Sequence, residues 1–108
     1  MSLDPRLERL QSVIRDRKGQ DIGSSYVASL FAKGRAKIAQ KVGEEATETV
    51  IAALSGSNNE LTSEAADLLF HLMILLEDAG SDLDAVLTEI ERRDGVSGHA
   101  EKAARTSA

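Results

Sequence analysis

Cysteine is absent from the 108-residue sequence, which excludes disulfides, thiolate metal sites and a cysteine nucleophile. Proline occurs once, at Pro5, and aromatic residues make up only 3% of the chain, against 42% hydrophobic residues. A core must therefore be built from Leu, Ile, Val and Ala, and the scarcity of helix breakers favours helices over a β-sandwich or barrel. The length suits one domain spanning residues 1–108 and leaves little room for a second.

Long apolar runs and an excess of positive charge are also absent. No apolar stretch approaches the ~20 residues of a membrane span, and the N-terminus lacks a signal-peptide layout, so we expect a soluble, cytoplasmic protein. The net charge of −5 argues against nucleic-acid binding, because neutralising phosphates needs a basic surface. An acidic protein can still bind a polyphosphate where divalent cations bridge its carboxylates to the ligand.

Helical periodicity runs through most of the chain and predicts an all-α fold of about five helices. Residues 95–108 are mostly polar and are expected to form a tail with at most one short helix, near residues 99–105. The predicted helices are one opened by Asp4-Pro5 and ending near Lys18, one capped by Ser24 or Ser25 and closed by Gly34, one from about Ala36 to Leu54, one from about Glu60 to Ala79, and one capped by Asp82.

The fourth predicted helix is apolar almost all round. Six residues form one face by the 100° helical step, yet Phe70, Met73 and Ile74 lie on the opposite side. Such a helix must be buried on both sides, and a chain this short can hardly surround it. We therefore expect a homodimer or larger assembly with a shared four-helix core; the alternative is a central helix in a monomeric bundle. The six residues are Leu61, Ala65, Leu68, Leu69, Leu72 and Leu76.

Helices three and four each carry two acids spaced i, i+3: Glu45 with Glu48, and Glu64 with Asp67. Residues three apart share a helical face, so their like charges repel unless a cation neutralises them. The turn at residues 55–59 makes the two helices antiparallel neighbours, and the two pairs then face each other at similar height. Oxygen-only ligands favour Mg²⁺, with Mn²⁺ as a substitute. The alternative is that these acids simply form solvated helix faces.

Basic residues and a histidine accompany the acids. Lys37 and Lys41 precede them on helix three, where they either pair with neighbouring acids or reach substrate phosphates. His71 follows Asp67 by four residues, and we expect it to support the site or the core rather than bind the metal. The sequence has no Glu-x-x-His pair of a di-iron bundle, no Walker loop and no serine-nucleophile motif.

Four segments together resemble the phosphoribosyl-ATP pyrophosphohydrolase family of the all-α nucleoside triphosphate pyrophosphohydrolase (MazG-like) superfamily, over roughly residues 7–105. The last segment favours this family over the house-cleaning dNTP pyrophosphatases. The segments are Ser25-Tyr26-Val27-x-x-Leu30, Gly34-x-x-Lys37-Ile38-x-x-Lys41-Val42-Gly43-Glu44-Glu45-Ala46, Glu64-Ala65-Ala66-Asp67-Leu68-Leu69-Phe70-His71-Leu72 and Ser97-Gly98-x-x-Glu101-Lys102-Ala103-x-Arg105.

The resemblance implies a MazG-like bundle that hydrolyses 1-(5-phosphoribosyl)-ATP to 1-(5-phosphoribosyl)-AMP and pyrophosphate, the second step of histidine biosynthesis. Many family members are fused to a cyclohydrolase with zinc-binding cysteines, so this cysteine-free chain resembles the free-standing form. Two alternatives stay open: a house-cleaning (d)NTP pyrophosphatase with the same metal site, and a non-catalytic helical dimer module.

The resemblance also implies roles for individual residues. The predicted ligands of one or two Mg²⁺ are Glu45, Glu48, Glu64 and Asp67, and the candidate general base is Glu44. From charge and position rather than from the resemblance, we also expect substrate binding by Lys37, Lys41, Arg93, Ser97, Lys102 and Arg105. The last four suit a phosphate or ribose, and the alternative for the tail is a frayed terminus.

Overall fold

The computed structural model describes residues 3–94. Within this range the chain forms five α-helices and no strand, which confirms the predicted all-α fold. The helices are α1 (Pro5–Arg17), α2 (Tyr26–Lys33), α3 (Arg35–Ser55), α4 (Asn58–Asp78) and α5 (Leu83–Arg92). None of the helices described is long and apolar enough to cross a membrane. The short helix predicted near residues 99–105 lies outside the described residues.

Side-chain caps begin the helices largely where the sequence predicts. Asp4, Ser25 and Asp82 each accept a backbone N–H of the first turn that follows, at 2.8, 3.1 and 2.9 Å. The predicted start of α4 at Glu60 is wrong by two residues. Ser57 accepts the Glu60 N–H at 3.1 Å, so residues 58 and 59 lie in the helix rather than in the turn before it.

Two glycines direct the chain from one helix to the next. Gly34, with φ of 97°, ends α2 and leads directly into α3. Gly80, with φ of 79°, follows α4, and its N–H bonds to the Glu77 carbonyl at 3.1 Å while the Ser81 N–H bonds to the Leu76 carbonyl at 2.8 Å. This pair of bonds is a Schellman motif, which turns the chain towards α5. A side chain at either glycine would be strained by the positive φ.

The hydrophobic core selects one of the two apolar faces of α4. Met73 and Ile74, which the sequence places opposite the leucine face, are 2% and 0% exposed. The leucine face is only partly covered, and Leu69 is 37% exposed. Burial on both sides of α4 is therefore not complete within the described chain. The largest fully buried side chains are Ile14, Leu30, Ile38, Met73 and Ile74.

Helix α3 carries an exposed apolar stripe near its end, formed by Val50, Ile51 and Leu54. Their side chains are 57%, 57% and 83% exposed. Residues at i, i+1 and i+4 lie on one side of a helix, so the three form a continuous surface. We refer to these three residues as the α3 apolar stripe.

The end of α4 carries acids where the helix dipole favours cations. Neighbouring helices supply the positive charge. Arg15 of α1 pairs with the buried Glu77 at 2.6 Å, and Arg35 at the start of α3 pairs with Asp78 at 3.0 Å. Lys18 donates to the Glu77 carbonyl at 3.3 Å. These contacts hold the carboxyl-terminal end of α4 against α1 and α3.

Candidate metal centre

The two acid-bearing helices, α3 and α4, are joined by only Gly56 and Ser57, and they pack on each other more extensively than any other helix pair described. The packing brings acids from both helices together. Glu45, Glu48 and Glu64 each offer a carboxylate oxygen, and these oxygens all lie within 4.8 Å of one another. We call these three residues the carboxylate cluster.

Members of the carboxylate cluster differ in burial. Glu45 is 8% exposed, Glu64 is half-buried, and Glu48 is exposed. Two buried oxygens, Oε2 of Glu45 and Oε2 of Glu64, accept no hydrogen bond from any residue described. Leaving a buried polar atom unsatisfied costs about 1–3 kcal/mol, and more for a charged group. Oxygen donors that converge without partners suit a hard divalent cation such as Mg²⁺.

The pKa values of the acids in the carboxylate cluster also suit a cation site. Burial raises the pKa of Glu45, and the nearby charge of Glu48 raises it further. The pKa of Glu64 is also raised, first by the close approach of the Glu48 carboxyl and then by burial. Crowded acids thus retain protons more readily than isolated ones. A cation that binds here would displace those protons.

Asp67, the fourth predicted ligand, is exposed and does not belong to the group of oxygens within 4.8 Å. Its negative charge nevertheless contributes to raising the pKa values of Glu45 and Glu64, so it lies within electrostatic reach of the cluster. The structure therefore brings together three of the four predicted ligands and leaves Asp67 beside them.

Glu44, the candidate base, is exposed on α3, one residue before Glu45. Its carboxylate accepts a hydrogen bond from Gln40 at 2.9 Å and lies 3.8 Å from the ammonium group of Lys41. Lys41 is thus held near Glu44, while Lys37 is exposed one turn earlier. The catalytic role of Glu44 and the phosphate-binding roles of both lysines stay predictions.

His71 is buried on α4 at 6% exposure. Its Nδ1 lies 2.7 Å from the carbonyl oxygen of Asp67, and its Nε2 lies 2.8 Å from the hydroxyl of Tyr26. Both ring nitrogens are occupied by protein groups, in keeping with a supporting role. The sequence alone gives no role to Tyr26, because 45 residues separate it from His71 and no local pattern links them.

The substrate-binding residues predicted near the carboxyl end are only partly described. Arg93 follows α5, is half-buried, and its Nε donates to Glu89 at 3.1 Å. Together with Arg92, Arg93 lowers the pKa of Glu89 to about 2. Ser97, Lys102 and Arg105 lie outside the described residues.

A cleft of about 260 Å³ opens beside the carboxylate cluster, between α3 and α4. Glu48 and Glu64 belong to both the cleft and the cluster. Its remaining lining is mixed, with Ile51 and Ala52 on α3 and polar side chains such as Ser63 on α4. The acids are therefore accessible to a ligand that enters this cleft.

Comparison with known proteins identifies the family. The model of the phosphoribosyl-ATP pyrophosphohydrolase family matches residues 7–94. A phosphoribosyl-ATP pyrophosphatase of Rhizorhabdus wittichii is 61% identical over 99 residues, covering 92% of this chain and 93% of the relative. Proteins of the same name from Erythrobacter litoralis and Zymomonas mobilis are each 60% identical over 99 residues, covering 92% of this chain and 95% and 92% of the relatives. The chain belongs to the phosphoribosyl-ATP pyrophosphohydrolase family.

Proposed function

We infer that the protein hydrolyses 1-(5-phosphoribosyl)-ATP to 1-(5-phosphoribosyl)-AMP and pyrophosphate, the second step of L-histidine biosynthesis. The carboxylate cluster carries this inference, because its converging acids suit a divalent cation and a polyphosphate. The name of the relatives supports the choice of substrate, and they align with nearly the whole chain. A biosynthetic role of this kind fits a cytoplasmic enzyme.

We propose Mg²⁺ as the cofactor, held by Glu45, Glu48 and Glu64 with Asp67 beside them, and Mn²⁺ as a substitute. The unsatisfied buried oxygens of Glu45 and Glu64 support this assignment. When bound, the cation would neutralise the triphosphate and polarise the phosphorus that is attacked. Phosphoryl transfer depends mainly on positioning and charge neutralisation, which rigid helices are suited to provide.

The residues around the carboxylate cluster supply the remaining functions. Glu44 is exposed, adjoins Glu45 in the sequence and is our candidate to accept a proton from the attacking water. Lys37 and Lys41, one turn apart on α3, would bind phosphate oxygens and offset the charge that develops on the leaving group. The ion pair between Lys41 and Glu44 would then open when substrate binds.

We further propose that the protein is a homodimer in which the α3 apolar stripe is covered by a second copy. Exposed apolar side chains grouped on one helix face are typical of protein interfaces. The half-covered leucine face of α4 supports the same assembly, because a second copy would complete a four-helix core.

The proposed reaction can be tested by measuring pyrophosphate release from phosphoribosyl-ATP, with dATP, dUTP and ATP as alternative substrates. We expect Mg²⁺-dependent release that strongly favours phosphoribosyl-ATP and is lost in Glu48→Gln. The control is Glu8→Gln, which removes an exposed acid from α1 and should leave the rate unchanged. Preferential turnover of dNTPs would instead indicate a house-cleaning pyrophosphatase, and no turnover would favour a non-catalytic module.

A further inference from the structure

The orientation of His71 is fixed by hydrogen bonds at both ring nitrogens. A carbonyl oxygen can only accept a hydrogen bond, so the nitrogen facing the Asp67 carbonyl, Nδ1, must carry a hydrogen. In the neutral ring Nε2 then accepts, and the Tyr26 hydroxyl donates to it. The Asp67 carbonyl therefore fixes the tautomer of the neutral ring, and the Tyr26 hydroxyl donates to the nitrogen that this tautomer leaves as an acceptor.

Two aromatic rings hold the imidazole plane. The Phe70 ring meets it edge to face, with 5.6 Å between centroids and 87° between planes. The Tyr26 ring does the same at 5.8 Å and 83°. Edge-to-face contacts of this kind are favourable and directional. Rotation of the His71 ring would lose both contacts together with the hydrogen bonds.

The contact between Tyr26 and His71 joins α2 to α4, the helix that carries Glu64. Asp67, whose carbonyl accepts from His71, lies one turn after Glu64 on α4. Tyr26 is the first residue of α2, and α2 leads through Gly34 directly into α3, which carries Glu45. Two hydrogen bonds in series, from Tyr26 to His71 and from His71 to the Asp67 carbonyl, thus link the start of α2 to the acidic turn of α4.

Burial alone does not account for the position of the Tyr26 hydroxyl. The residue is 52% exposed, so its ring adds little to the core, and its hydroxyl could instead be hydrated by water. The hydroxyl nevertheless forms a hydrogen bond with the buried imidazole of His71. Removing the hydroxyl while keeping the ring would therefore test the bond with little loss of packing.

We propose that Tyr26 is a positioning residue of the metal centre. Its hydroxyl holds His71 in the orientation that fixes the acidic turn of α4, and so keeps the carboxylates of α3 and α4 at the spacing that a cation requires. The proposal rests on the Mg²⁺ site of the proposed function. Groups that orient metal ligands typically contribute 10- to 100-fold to metal affinity or activity.

The test is Tyr26→Phe, studied by calorimetric titration with Mg²⁺ alone and by the Mg²⁺ dependence of pyrophosphate release. We expect the dissociation constant for Mg²⁺ to rise about tenfold. At saturating Mg²⁺ the kcat should recover, because the reacting groups are unchanged. A change in Mg²⁺ affinity of less than about twofold would overturn the proposal, because the loss of a group that orients metal ligands typically has a much larger effect.

Ser25→Ala is the matched control. It removes the neighbouring cap of α2, a bond to the Ala28 N–H, and leaves the contact between Tyr26 and His71 in place. Ser25→Ala should lower the unfolding temperature without changing Mg²⁺ affinity. Equal loss of Mg²⁺ affinity in both variants would mean that only the stability of α2 matters, and would refute positioning by Tyr26.

A double-mutant cycle extends the test. His71→Asn also removes the contact with Tyr26, so adding Tyr26→Phe to it should cause no further loss of Mg²⁺ affinity. Additive losses of Mg²⁺ affinity would contradict the proposal that Tyr26 acts through His71. If wild type binds Mg²⁺ but does not hydrolyse phosphoribosyl-ATP, the proposed reaction fails while the titrations still decide the role of Tyr26. If wild type binds no Mg²⁺, both proposals fail.

Discussion

Replacing Glu45 by glutamine should stabilise the metal-free protein and abolish its response to Mg²⁺. Glu45 is the most buried member of the carboxylate cluster, and its Oε2 has no hydrogen-bond partner among the described residues. Glutamine has nearly the same shape, removes one negative charge from the cluster, and offers an amide N–H to the neighbouring acids. The same change removes a ligand that the proposed cation needs.

The size of the stabilisation follows from the spacing of the charges. Two unit charges 4.8 Å apart, the upper limit within the cluster, repel by about 1 kcal/mol in water and about 3–4 kcal/mol at an effective dielectric constant of 20. The lower figure applies, because Glu48 is exposed and burial already favours a protonated Glu45. For a domain of this size, about 1 kcal/mol raises the unfolding temperature by roughly 4–8 °C.

Thermal unfolding in EDTA and in excess Mg²⁺ checks this prediction. Wild type should unfold at a lower temperature than Glu45→Gln in EDTA, and should gain about 2.7 kcal/mol at a Mg²⁺ concentration 100 times its dissociation constant. The variant should gain nothing from Mg²⁺. Glu8→Gln serves as the charge control: it removes an exposed first-turn acid of α1, so it should lower rather than raise the unfolding temperature. A variant less stable than wild type in EDTA, or one still stabilised by Mg²⁺, would refute the reasoning.

Four further predictions concern pH dependence, folding and assembly. The raised pKa values of Glu45 and Glu64 mean that the folded, metal-free protein binds more protons than the unfolded chain, so its stability should fall as pH rises from 4.5 through those pKa values. Mg²⁺ affinity should rise over the same range with release of protons, as calorimetry in buffers of different ionisation enthalpy would detect. Arg15→Met should lower the free energy of unfolding in urea by about 2 kcal/mol, because it leaves the buried Glu77 without its partner. The loss is smaller than for a fully buried pair because Arg15 is half-exposed. An unchanged urea midpoint would contradict this prediction. Leu54→Glu should shift the protein to monomers in sedimentation velocity, whereas an unchanged mass would remove Leu54 from the proposed interface.

Local signals in the sequence predict most helix boundaries because capping depends on adjacent residues. Ser25 and Asp82 are such capping residues, and the side chain of each accepts a hydrogen bond from the backbone N–H three residues later. The start of α4 is mispredicted for a related reason. Asn58 and Asn59 favour turns, but Ser57 caps the helix first and draws both into its first turn.

Features that depend on tertiary packing are harder to predict. Periodicity cannot decide which apolar face of α4 is buried, and the structure buries Met73 and Ile74 rather than the leucine face. The carboxylate cluster is accessible to sequence reasoning, because i, i+3 spacing and a short antiparallel turn place its acids together. The bond between Tyr26 and His71 joins distant residues and has no such local signature.

The most direct test of the proposed metal centre is a crystal soaked in Mn²⁺ and measured at the manganese absorption edge. We predict an anomalous peak within bonding distance of the carboxylates of Glu45, Glu48 and Glu64, absent in crystals of Glu45→Gln. A wild-type crystal with no peak at these carboxylates, or with a peak only elsewhere, would contradict the assignment of the carboxylate cluster as the metal centre.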